Sequence, residues 1–202
     1  GEIKTIRTKK HEYQAKALIL AFGAEHRKLD IPGEDDLSGL GVSYCATCDG
    51  MFYKGKTVAV IGGGNTAAAD ALQLSRICEK VIVVHRRDTL RATKIYHQPL
   101  MDAPNVEFRW NCVVDEILHD EKVTGLVLKD ARDGSKSVIQ CEGVFVSVGR
   151  KPQTEMLEGQ LDLDSQGYII ADESTVTSVP GVFAVGDVRT KPLRQVVTAV
   201  SD

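Results

Sequence analysis

Short apolar runs alternate with glycine-rich and polar segments through the middle of the chain. Residues 57–61 form an apolar run, three glycines follow at once, and residues 65–78 then repeat apolar positions at helical spacing. A second apolar run, rich in valine, covers residues 80–85. A strand, a glycine turn, a helix and another strand within about 30 residues make a βαβ unit, whose two strands are parallel. The pattern therefore predicts an α/β domain with a parallel sheet.

Further strand patterns lie on both sides of this unit. Four of them are separated by polar turns and predict an antiparallel β-meander on the parallel sheet. These four cover residues 113–118, 123–129, 137–141 and 144–148. Nearer the ends, the chain predicts a hairpin and a buried strand before the βαβ unit and two short strands after the meander. Those segments are residues 1–15, 16–23, 168–170 and 182–185.

Two irregular segments divide the chain. Residues 28–41 are rich in proline, glycine and aspartate, and residues 152–158 form a second break, so each is a candidate domain boundary. The two boundaries predict that one domain is inserted into another. The expected parts are residues 1–27 and 155–202 for the outer domain and residues 28–154 for the inserted one.

Composition narrows the class of partner. The 202 residues carry a net charge of -3 with a pI of about 6.0, so no excess of positive charge attracts nucleic acid or an anionic membrane. The apolar runs are far shorter than the roughly 20 residues of a membrane span, and no signal-peptide pattern opens the chain. The five cysteines include one C-x-x-C pair, which is typical of a reducing compartment rather than a secreted disulfide framework. We therefore expect a cytoplasmic protein with no nucleic-acid or membrane partner.

The glycines after the first apolar run match the dinucleotide pattern G-x-G-x-x-A over residues 62–67. Gly62 would permit the tight turn out of the strand, and Gly64 would let the backbone approach a pyrophosphate. Ala67, in place of a third glycine, would still let the helix pack closely on the strand. The free N–H groups of the helix N-terminus would then face the phosphates. An ordinary glycine-rich turn is the alternative, which the flanking strand and helix oppose.

The end of the second strand indicates which dinucleotide binds. Proteins that bind NAD place an acidic residue there to hold the ribose 2′-hydroxyl. This chain has His85, Arg86 and Arg87 at that position, and Arg91 one turn later. Arginine pairs with a 2′-phosphate through charge-assisted hydrogen bonds, so the residues favour NADPH over NADH. A solvated basic loop is the alternative interpretation.

The pair Cys45 and Cys48 is the remaining chemical motif. Half of a zinc site is one interpretation, but a structural site needs about four ligands and the sequence has no second C-x-x-C. Two structural thiols are another, although they would not require this spacing. A redox dithiol is favoured, because C-x-x-C closes a small disulfide ring. Asp49 follows directly and could donate or accept the proton of a leaving thiolate.

Taken together, the motifs resemble one known family. CATCDG, GKTVAVIGGGNTA, HRRDTLRA, VSVGRKP, PGVFAVGDV and RQV occur in this order and spacing. The set closely resembles low-molecular-weight, bacterial-type thioredoxin reductases over essentially all 202 residues. The resemblance implies a Rossmann-like, three-layer FAD/NAD(P)-binding fold, with helices on one face of a parallel sheet and an antiparallel β-meander on the other. It also implies that this domain is inserted in a partial second domain of the same type.

The resemblance further implies an activity and a partner. Electrons would pass from NADPH to FAD, to the disulfide and on to thioredoxin, in a protein that is usually a homodimer. Cys48 would be the sulfur nearer the flavin, Cys45 would exchange with thioredoxin, and Asp49 would be the acid/base. The NADPH domain would rotate against the FAD domain. Its hinges would lie near Lys28 and Thr154.

Cofactor contacts are also implied residue by residue. The pyrophosphate and ribose of NADPH would be held by Gly62, Gly64, Asn65, Thr66 and Ala67, its 2′-phosphate end by His85, Arg86, Arg87 and Arg91, and Gly149 would lie near the nucleotide. Asp187 would bind the ribitol of FAD. The flavin would be contacted by Arg194, Gln195 and Val196.

The chain also departs from the family pattern. Family members open with a second G-x-G-x-x-G motif for the FAD pyrophosphate and end with a further helix, and neither is present here. Phe22 stands where the resemblance implies threonine. We therefore expect a piece truncated at both ends that binds NADPH, holds FAD weakly or not at all, and is inactive alone.

Three other functions compete with this interpretation. A reductase of a peroxiredoxin would prefer NADH, which the arginines oppose. A ferredoxin-dependent flavin reductase would lack a nicotinamide site, which the glycine motif opposes. A flavin-free, NADPH-binding redox module would be colourless after purification, whereas the oxidoreductase would be yellow.

Overall fold

The structure is a computed structural model that describes residues 3–202. The strands, in chain order, are β1 (Lys4–Arg7), β2 (Glu12–Ala15), β3 (Leu18–Leu20), β4 (Ala24–His26), β5 (Val42–Ser43), β6 (Thr57–Ile61), β7 (Lys80–His85), β8 (Val106–Trp110), β9 (Cys112–His119), β10 (Val123–Asp130), β11 (Lys136–Gln140), β12 (Gly143–Val146), β13 (Arg150–Pro152) and β14 (Val182–Ala184). The α-helices are α1 (Ala46–Asp49), α2 (Asn65–Ser75), α3 (His97–Asp102) and α4 (Val196–Val200). The described chain separates into a central unit, residues 26–149, and an outer unit, residues 3–25 with 150–202.

The central unit is built on a five-stranded sheet with the order β5-β12-β6-β7-β8. Every neighbouring pair in it is parallel. The predicted βαβ unit is confirmed, because β6, α2 and β7 follow one another and the two strands pair directly. A parallel sheet needs both faces covered, and the sequence supplies apolar side chains at nearly every strand position.

Alternate side chains of the sheet enter two different hydrophobic clusters. Val60 and Val83 pack with Leu74 of α2, whereas Ile61 and Val84 pack with the meander. Successive side chains of a strand point to opposite faces, so this division places the helices on one face and the meander on the other. The three-layer prediction is confirmed.

The meander itself differs from the prediction by one strand. It consists of β9, β10 and β11, paired antiparallel in the order β11-β10-β9. The predicted fourth strand, over residues 144–148, is wrong as part of the meander, because β12 lies in the parallel sheet between β5 and β6. Every residue of β12 is buried, as a strand covered on both faces requires.

Helix α2 ends earlier than its apolar spacing predicts. The predicted helix runs to residue 78, whereas α2 stops at Ser75. The side chain of Asn105 donates to the carbonyls of Ser75 and Cys78, at 2.9 and 3.1 Å. These bonds satisfy carbonyl groups at the end of the helix and turn the chain into β7. Across residues 3–202, the helices are all too short or too polar to cross a bilayer.

The outer unit has less regular structure. β1 and β2 form the predicted antiparallel hairpin, apart from residues 1 and 2, which lie outside the described residues. β3 pairs in parallel with β14, and β4 is joined to β13. The strand predicted over residues 168–170 is replaced by single bridges at Ile169, which is fully buried.

Candidate functional site

A cavity of about 540 Å³ opens in the central unit beside the carboxyl ends of β6, β7 and β12. Ligands of open α/β sheets bind at this edge. The predicted site residues that line it are Gly62, Gly64, Asn65, Thr66, His85, Arg86, Arg91 and Gly149. The structure therefore brings the glycine motif and two of the three predicted arginines to one place, which we call the nucleotide cavity.

Gly62 and Gly64 of the motif have different structural roles. Gly62 has φ +144°, and a Cβ there would lie 2.4 Å from the Ser147 carbonyl oxygen and 2.9 Å from Ala67 Cβ. Gly62 and the fully buried Ala67 thus serve the close packing of strand and helix. A Cβ on Gly64 would meet nothing within 4 Å, so that backbone faces open space. An open glycine at this position leaves room for a phosphate group to reach the backbone.

The basic edge of the cavity is formed by exposed arginines around a buried histidine. Arg86 and Arg91 line the cavity, whereas the exposed Arg87 does not, and its carbonyl accepts the Asn111 N–H at 3.1 Å. Burial, together with the three arginines, lowers the pKa of His85. His85 is therefore neutral at pH 7, and the positive charge of this edge comes from arginine.

His85 also supports the glycine loop. A Cβ on Gly63 would lie 2.4 Å from the imidazole ring, so the ring packs directly against that glycine. Its Nε2 is buried and has no hydrogen-bond partner in the described part of the chain. The side chain predicted to face the 2′-phosphate thus acts as a packing element beneath the loop.

Two basic residues reach the nucleotide cavity without any sequence signal. Arg27 and Lys28 both line it, although residues 28–41 read as a linker. The Arg27 N–H donates to the Gly149 carbonyl at 3.0 Å, which joins segments more than 100 residues apart in the chain. Local patterns carry no information about such a contact.

The dithiol lies at the start of α1 and is oxidised. Cys45 and Cys48 form a disulfide with a Cα–Cα distance of 5.3 Å. Cys45 is the N-cap residue of α1, and the Cys48 N–H donates to its sulfur at 3.1 Å. An N–H donor stabilises a thiolate when the pair is reduced. Cys48 is exposed and Cys45 half-buried, so a partner can reach the pair.

Asp49 is connected to the dithiol by a residue that the sequence did not indicate. The hydroxyl of Ser43 donates to Asp49 Oδ2 at 2.7 Å and accepts the Cys45 N–H at 3.1 Å. Ser43 is buried, and it lines a second cavity of about 390 Å³ together with Asp49 and Tyr53. Burial and the charge of Asp49 raise the pKa of Tyr53. The carboxylate is thus fixed beside the disulfide and faces a space that water can enter.

Helix α2 separates the dithiol from the glycine loop. The Thr47 hydroxyl donates to Gln73 Oε1 at 3.1 Å, and Gln73 Nε2 donates to the Ala46 carbonyl at 3.5 Å. The dithiol helix therefore rests on the second half of α2. Asn65, at the glycine loop, lies eight residues earlier, about 12 Å along a helix that rises 1.5 Å per residue.

The remaining predicted residues lie in the outer unit. Asp187 Oδ2 pairs with Arg150 at 3.0 Å, while its Oδ1 is buried and has no hydrogen-bond partner among residues 3–202. Arg194 stacks 3.8 Å above the Tyr168 ring and donates to the Asp187 carbonyl at 3.3 Å. At the start of α4, the Gln195 N–H donates to the Thr198 hydroxyl at 3.0 Å, and Val196 is 82% exposed.

Several proteins and solved structures that are similar to this chain are named thioredoxin reductase. The chain is 48% identical over 202 residues to a thioredoxin reductase of Listeria monocytogenes, covering all of this chain and 63% of that protein. It is 47% identical over 201 residues to a thioredoxin reductase of Streptomyces coelicolor, covering 98% of this chain and 62% of that protein. The chain thus spans just over three-fifths of the length of these relatives.

The fold is also similar to that of solved structures. A crystal structure of thioredoxin reductase from Streptococcus pyogenes matches with a TM-score of 0.91 at 42% identity, covering 100% of this chain and 66% of that one. A thioredoxin reductase from Giardia duodenalis matches with a TM-score of 0.86 at 39% identity, covering 94% of this chain and 62% of that one. The sequence profile of the pyridine nucleotide-disulphide oxidoreductases matches residues 2–202, nearly the whole chain, so the chain belongs to that family.

Proposed function

We propose that this chain carries the NADPH-binding and dithiol part of a thioredoxin-disulfide reductase, which passes electrons from NADPH via FAD to the Cys45–Cys48 disulfide and on to thioredoxin. The observation that carries the proposal is that this disulfide and a nucleotide cavity edged by Arg86 and Arg91 belong to one compact unit. The name of the relatives supports thioredoxin as the partner.

The cavity suits NADPH in size and charge. Its volume of about 540 Å³ is in the range of pockets that hold drug-sized ligands. The open backbone at Gly64 would receive the pyrophosphate, and the guanidinium groups of Arg86 and Arg91 would pair with the 2′-phosphate. These residues give the central unit the role of NADPH-binding domain.

The outer unit offers groups that suit FAD. The buried Asp187 Oδ1 has no partner within the described residues, and a ribitol hydroxyl would supply the donor that it lacks. Arg194 is held between Tyr168 and the Asp187 carbonyl, so its position is already set. FAD, when bound, accepts a hydride and delivers two electrons to a disulfide. We assign the outer unit to that cofactor.

The contact of the dithiol helix α1 with the second half of α2 explains the need for an electron carrier. The glycine loop and the dithiol helix contact opposite halves of that helix, about 12 Å apart along its axis. A hydride moves only between atoms in contact, so a reducing equivalent needs an intermediate acceptor or a movement of the nucleotide. Bound FAD would be that intermediate acceptor.

The chain's own residues then carry out thiol chemistry. Reduction of the disulfide by two electrons and two protons gives thiols at Cys45 and Cys48, and the Cys48 N–H would stabilise a thiolate at Cys45. The Cys45 thiolate would attack the thioredoxin disulfide, forming a mixed disulfide and releasing one thioredoxin thiolate. Cys48 would then attack the Cys45 sulfur, which re-forms the Cys45–Cys48 disulfide and releases the second thioredoxin thiolate. Asp49, held by Ser43, would transfer the proton that accompanies each change of charge.

Cell compartment and assembly belong to the same proposal. Burial raises the pKa of Cys78 to about 11 and that of Cys141 to about 12, so these free thiols stay protonated. Free thiols in the same chain as a redox dithiol are typical of the cytoplasm, where we place the protein. We propose a homodimer, with neither nucleic acid nor membrane as a partner.

The first test is calorimetric binding of NADPH and NADH to this chain, with an absorbance spectrum of the same sample. We expect NADPH to bind more tightly, and Arg86→Ala to weaken NADPH about 10-fold or more while NADH changes little. Arg87→Ala is the matched control, because Arg87 does not line the cavity. Equal binding of both nucleotides would instead support a peroxiredoxin reductase or a ferredoxin-type enzyme.

The absorbance spectrum tests whether the chain holds the flavin that the oxidoreductase needs. A flavin band near about 450 nm, present on purification or after added FAD, supports the oxidoreductase. Tight NADPH binding without FAD uptake is what we expect of an NADPH-binding piece separated from its flavin site, and a flavin-free redox module would give the same spectrum. Its dithiol would then report the NADPH supply rather than turn over.

A further inference from the structure

The segment that carries Arg91 is attached to the glycine loop by three consecutive backbone N–H groups. Arg91 and Ala92 both donate to the Gly63 carbonyl, at 2.7 and 3.0 Å. Thr93 donates to the side-chain oxygen Oδ1 of Asn65 at 2.8 Å. The segment over residues 86–93, here called the arginine segment, contains no helix or strand. Its course near Arg91 therefore depends on these bonds and on the buried Leu90 and Ala92.

Asn65 is the side chain in this attachment. It is the first residue of α2, and it spans 28 positions in the chain to reach Thr93. The Gly63 carbonyl belongs to the backbone and would be present with any residue, whereas the Thr93 bond requires an acceptor on the side chain at position 65. The choice of asparagine there consequently affects how firmly the arginine segment is held.

We propose that Asn65 is a positioning residue for nucleotide selectivity: it holds the arginine segment so that Arg91 is already in place for the 2′-phosphate of NADPH. The inference rests on the proposed NADPH function and gives Asn65 a role other than direct contact with the pyrophosphate or ribose.

The argument follows from what the two nucleotides share. NADPH and NADH have the same pyrophosphate, which would meet the glycine loop, and only NADPH has the 2′-phosphate, which would meet the arginine segment. A loosened segment must be ordered on binding, and that entropy cost falls on the nucleotide that uses it. Loss of the Asn65 bond therefore lowers the affinity for NADPH and leaves that for NADH nearly unchanged.

The test measures dissociation constants of NADPH and NADH for variants of this chain. Asn65→Ala removes the acceptor, and Thr93→Pro removes the donor at a residue whose φ of -59° proline adopts. Each is expected to reduce the preference for NADPH about 3- to 10-fold, the range of one hydrogen bond. Thr93→Ala keeps the N–H and is expected to keep the preference.

Two further variants make the mechanism specific. The double variant Asn65→Ala/Thr93→Pro should be no worse than either single change, because both break the same bond. Asn65→Asp keeps an acceptor oxygen and should retain the preference for NADPH. Its charge should weaken the binding of both nucleotides, because it repels the pyrophosphate that they share. Thermal unfolding of each variant identifies any that fails to fold. If Thr93→Pro does not fold, the comparison of Asn65→Ala with Asn65→Asp still tests the inference.

The outcomes separate this inference from the proposed function. Equal weakening of NADPH and NADH by Asn65→Ala would show direct contact with the shared part of the nucleotide and overturn the inference. An unchanged preference in Asn65→Ala would overturn it too, while the NADPH function stands. Absence of any NADPH preference in the unaltered chain would overturn the proposed function and the inference together.

Discussion

The central and outer units are stabilised in different ways. The central unit has a continuous five-stranded sheet with a buried apolar cluster on each face. The outer unit has a smaller apolar cluster around Ile169, and its α4 leaves Val196 and Val200 80% or more exposed. Its largest fully buried side chain is Arg189, which pairs with Asp202. Apolar burial thus determines the central unit, whereas charge pairing is a main support of the outer one.

The difference has a physical consequence for mutation. Apolar packing is spread over many contacts, so a single substitution removes a part of it. A buried ion pair concentrates its contribution in two or three groups, and removing one leaves the others charged and unsolvated. We therefore expect the outer unit to be the more sensitive to a single charge.

The largest expected effect comes from Asp202→Asn. Asp202 accepts hydrogen bonds from the side chains of Arg189 and Lys191 and from the Gly186 N–H, at 2.5 to 3.0 Å. Arg189 and Lys191 are 1% and 4% exposed. Their charges would lose their buried partner, which costs about 3–5 kcal/mol. Hydrogen exchange should show faster opening of outer-unit amides and unchanged central-unit amides.

The matched control for that experiment is Glu173→Gln. Glu173 pairs with the same Arg189 at 3.2 Å but is 85% exposed. Exposed pairs contribute little, so exchange should stay as in the unaltered chain. If Asp202→Asn had as little effect as Glu173→Gln, charge pairing would not be what distinguishes the outer unit.

A medium effect separates stability from binding inside the central unit. Gly64 has an extended backbone that alanine adopts, and its Cβ would meet no atom within 4 Å. Gly64→Ala should change the unfolding free energy by less than about 0.5 kcal/mol. The methyl group would occupy the approach of the pyrophosphate, so NADPH and NADH should each bind about 10-fold more weakly. Calorimetry and thermal unfolding of the same sample measure the two quantities.

Gly62→Ala is the contrasting variant. Its Cβ would lie 2.4 Å from the Ser147 carbonyl oxygen at a φ of +144°, so it should destabilise the central unit directly. The prediction for Gly64 would be contradicted if Gly64→Ala bound both nucleotides as tightly as the unaltered chain, since the pyrophosphate would then not approach the backbone of residue 64.

The smallest expected effect is a difference in pH dependence between the units. Burial and three neighbouring arginines hold the pKa of His85 below its usual range. The unfolded chain therefore binds this proton first, and the central unit should lose stability as pH falls below about 6.5. Hydrogen bonds from Arg189 and Lys191 hold the pKa of Asp202 below its usual range, so the outer unit should weaken only below about pH 4.

Hydrogen exchange at pH 7, 5.5 and 4 checks this order. His85→Gln should flatten the response of the central unit between pH 7 and 5.5, while His119→Gln, an exposed histidine, should not. An outer unit that opened first on mild acidification would reverse the expected order of the two titrations.

Much of the central unit was predictable from local pattern alone. The apolar runs of β6 and β7 and the glycines between them specify a βαβ unit, because backbone conformation and periodicity act over a few residues. The C-x-x-C spacing places two sulfurs within reach of each other inside one turn. These features were confirmed because their contacts are short in sequence.

Other features were decided by contacts between distant segments. The sequence pattern predicts β12 as a fourth meander strand, yet the strand lies in the parallel sheet, where all of its residues are buried. Asn65 meets Thr93 across 28 residues, through a hydrogen bond of 2.8 Å. Arg86 turns into the nucleotide cavity and Arg87 away from it, although the two are adjacent. Residue order specifies which chemistry is available, but the direction of each side chain depends on which strands and loops pack beside it.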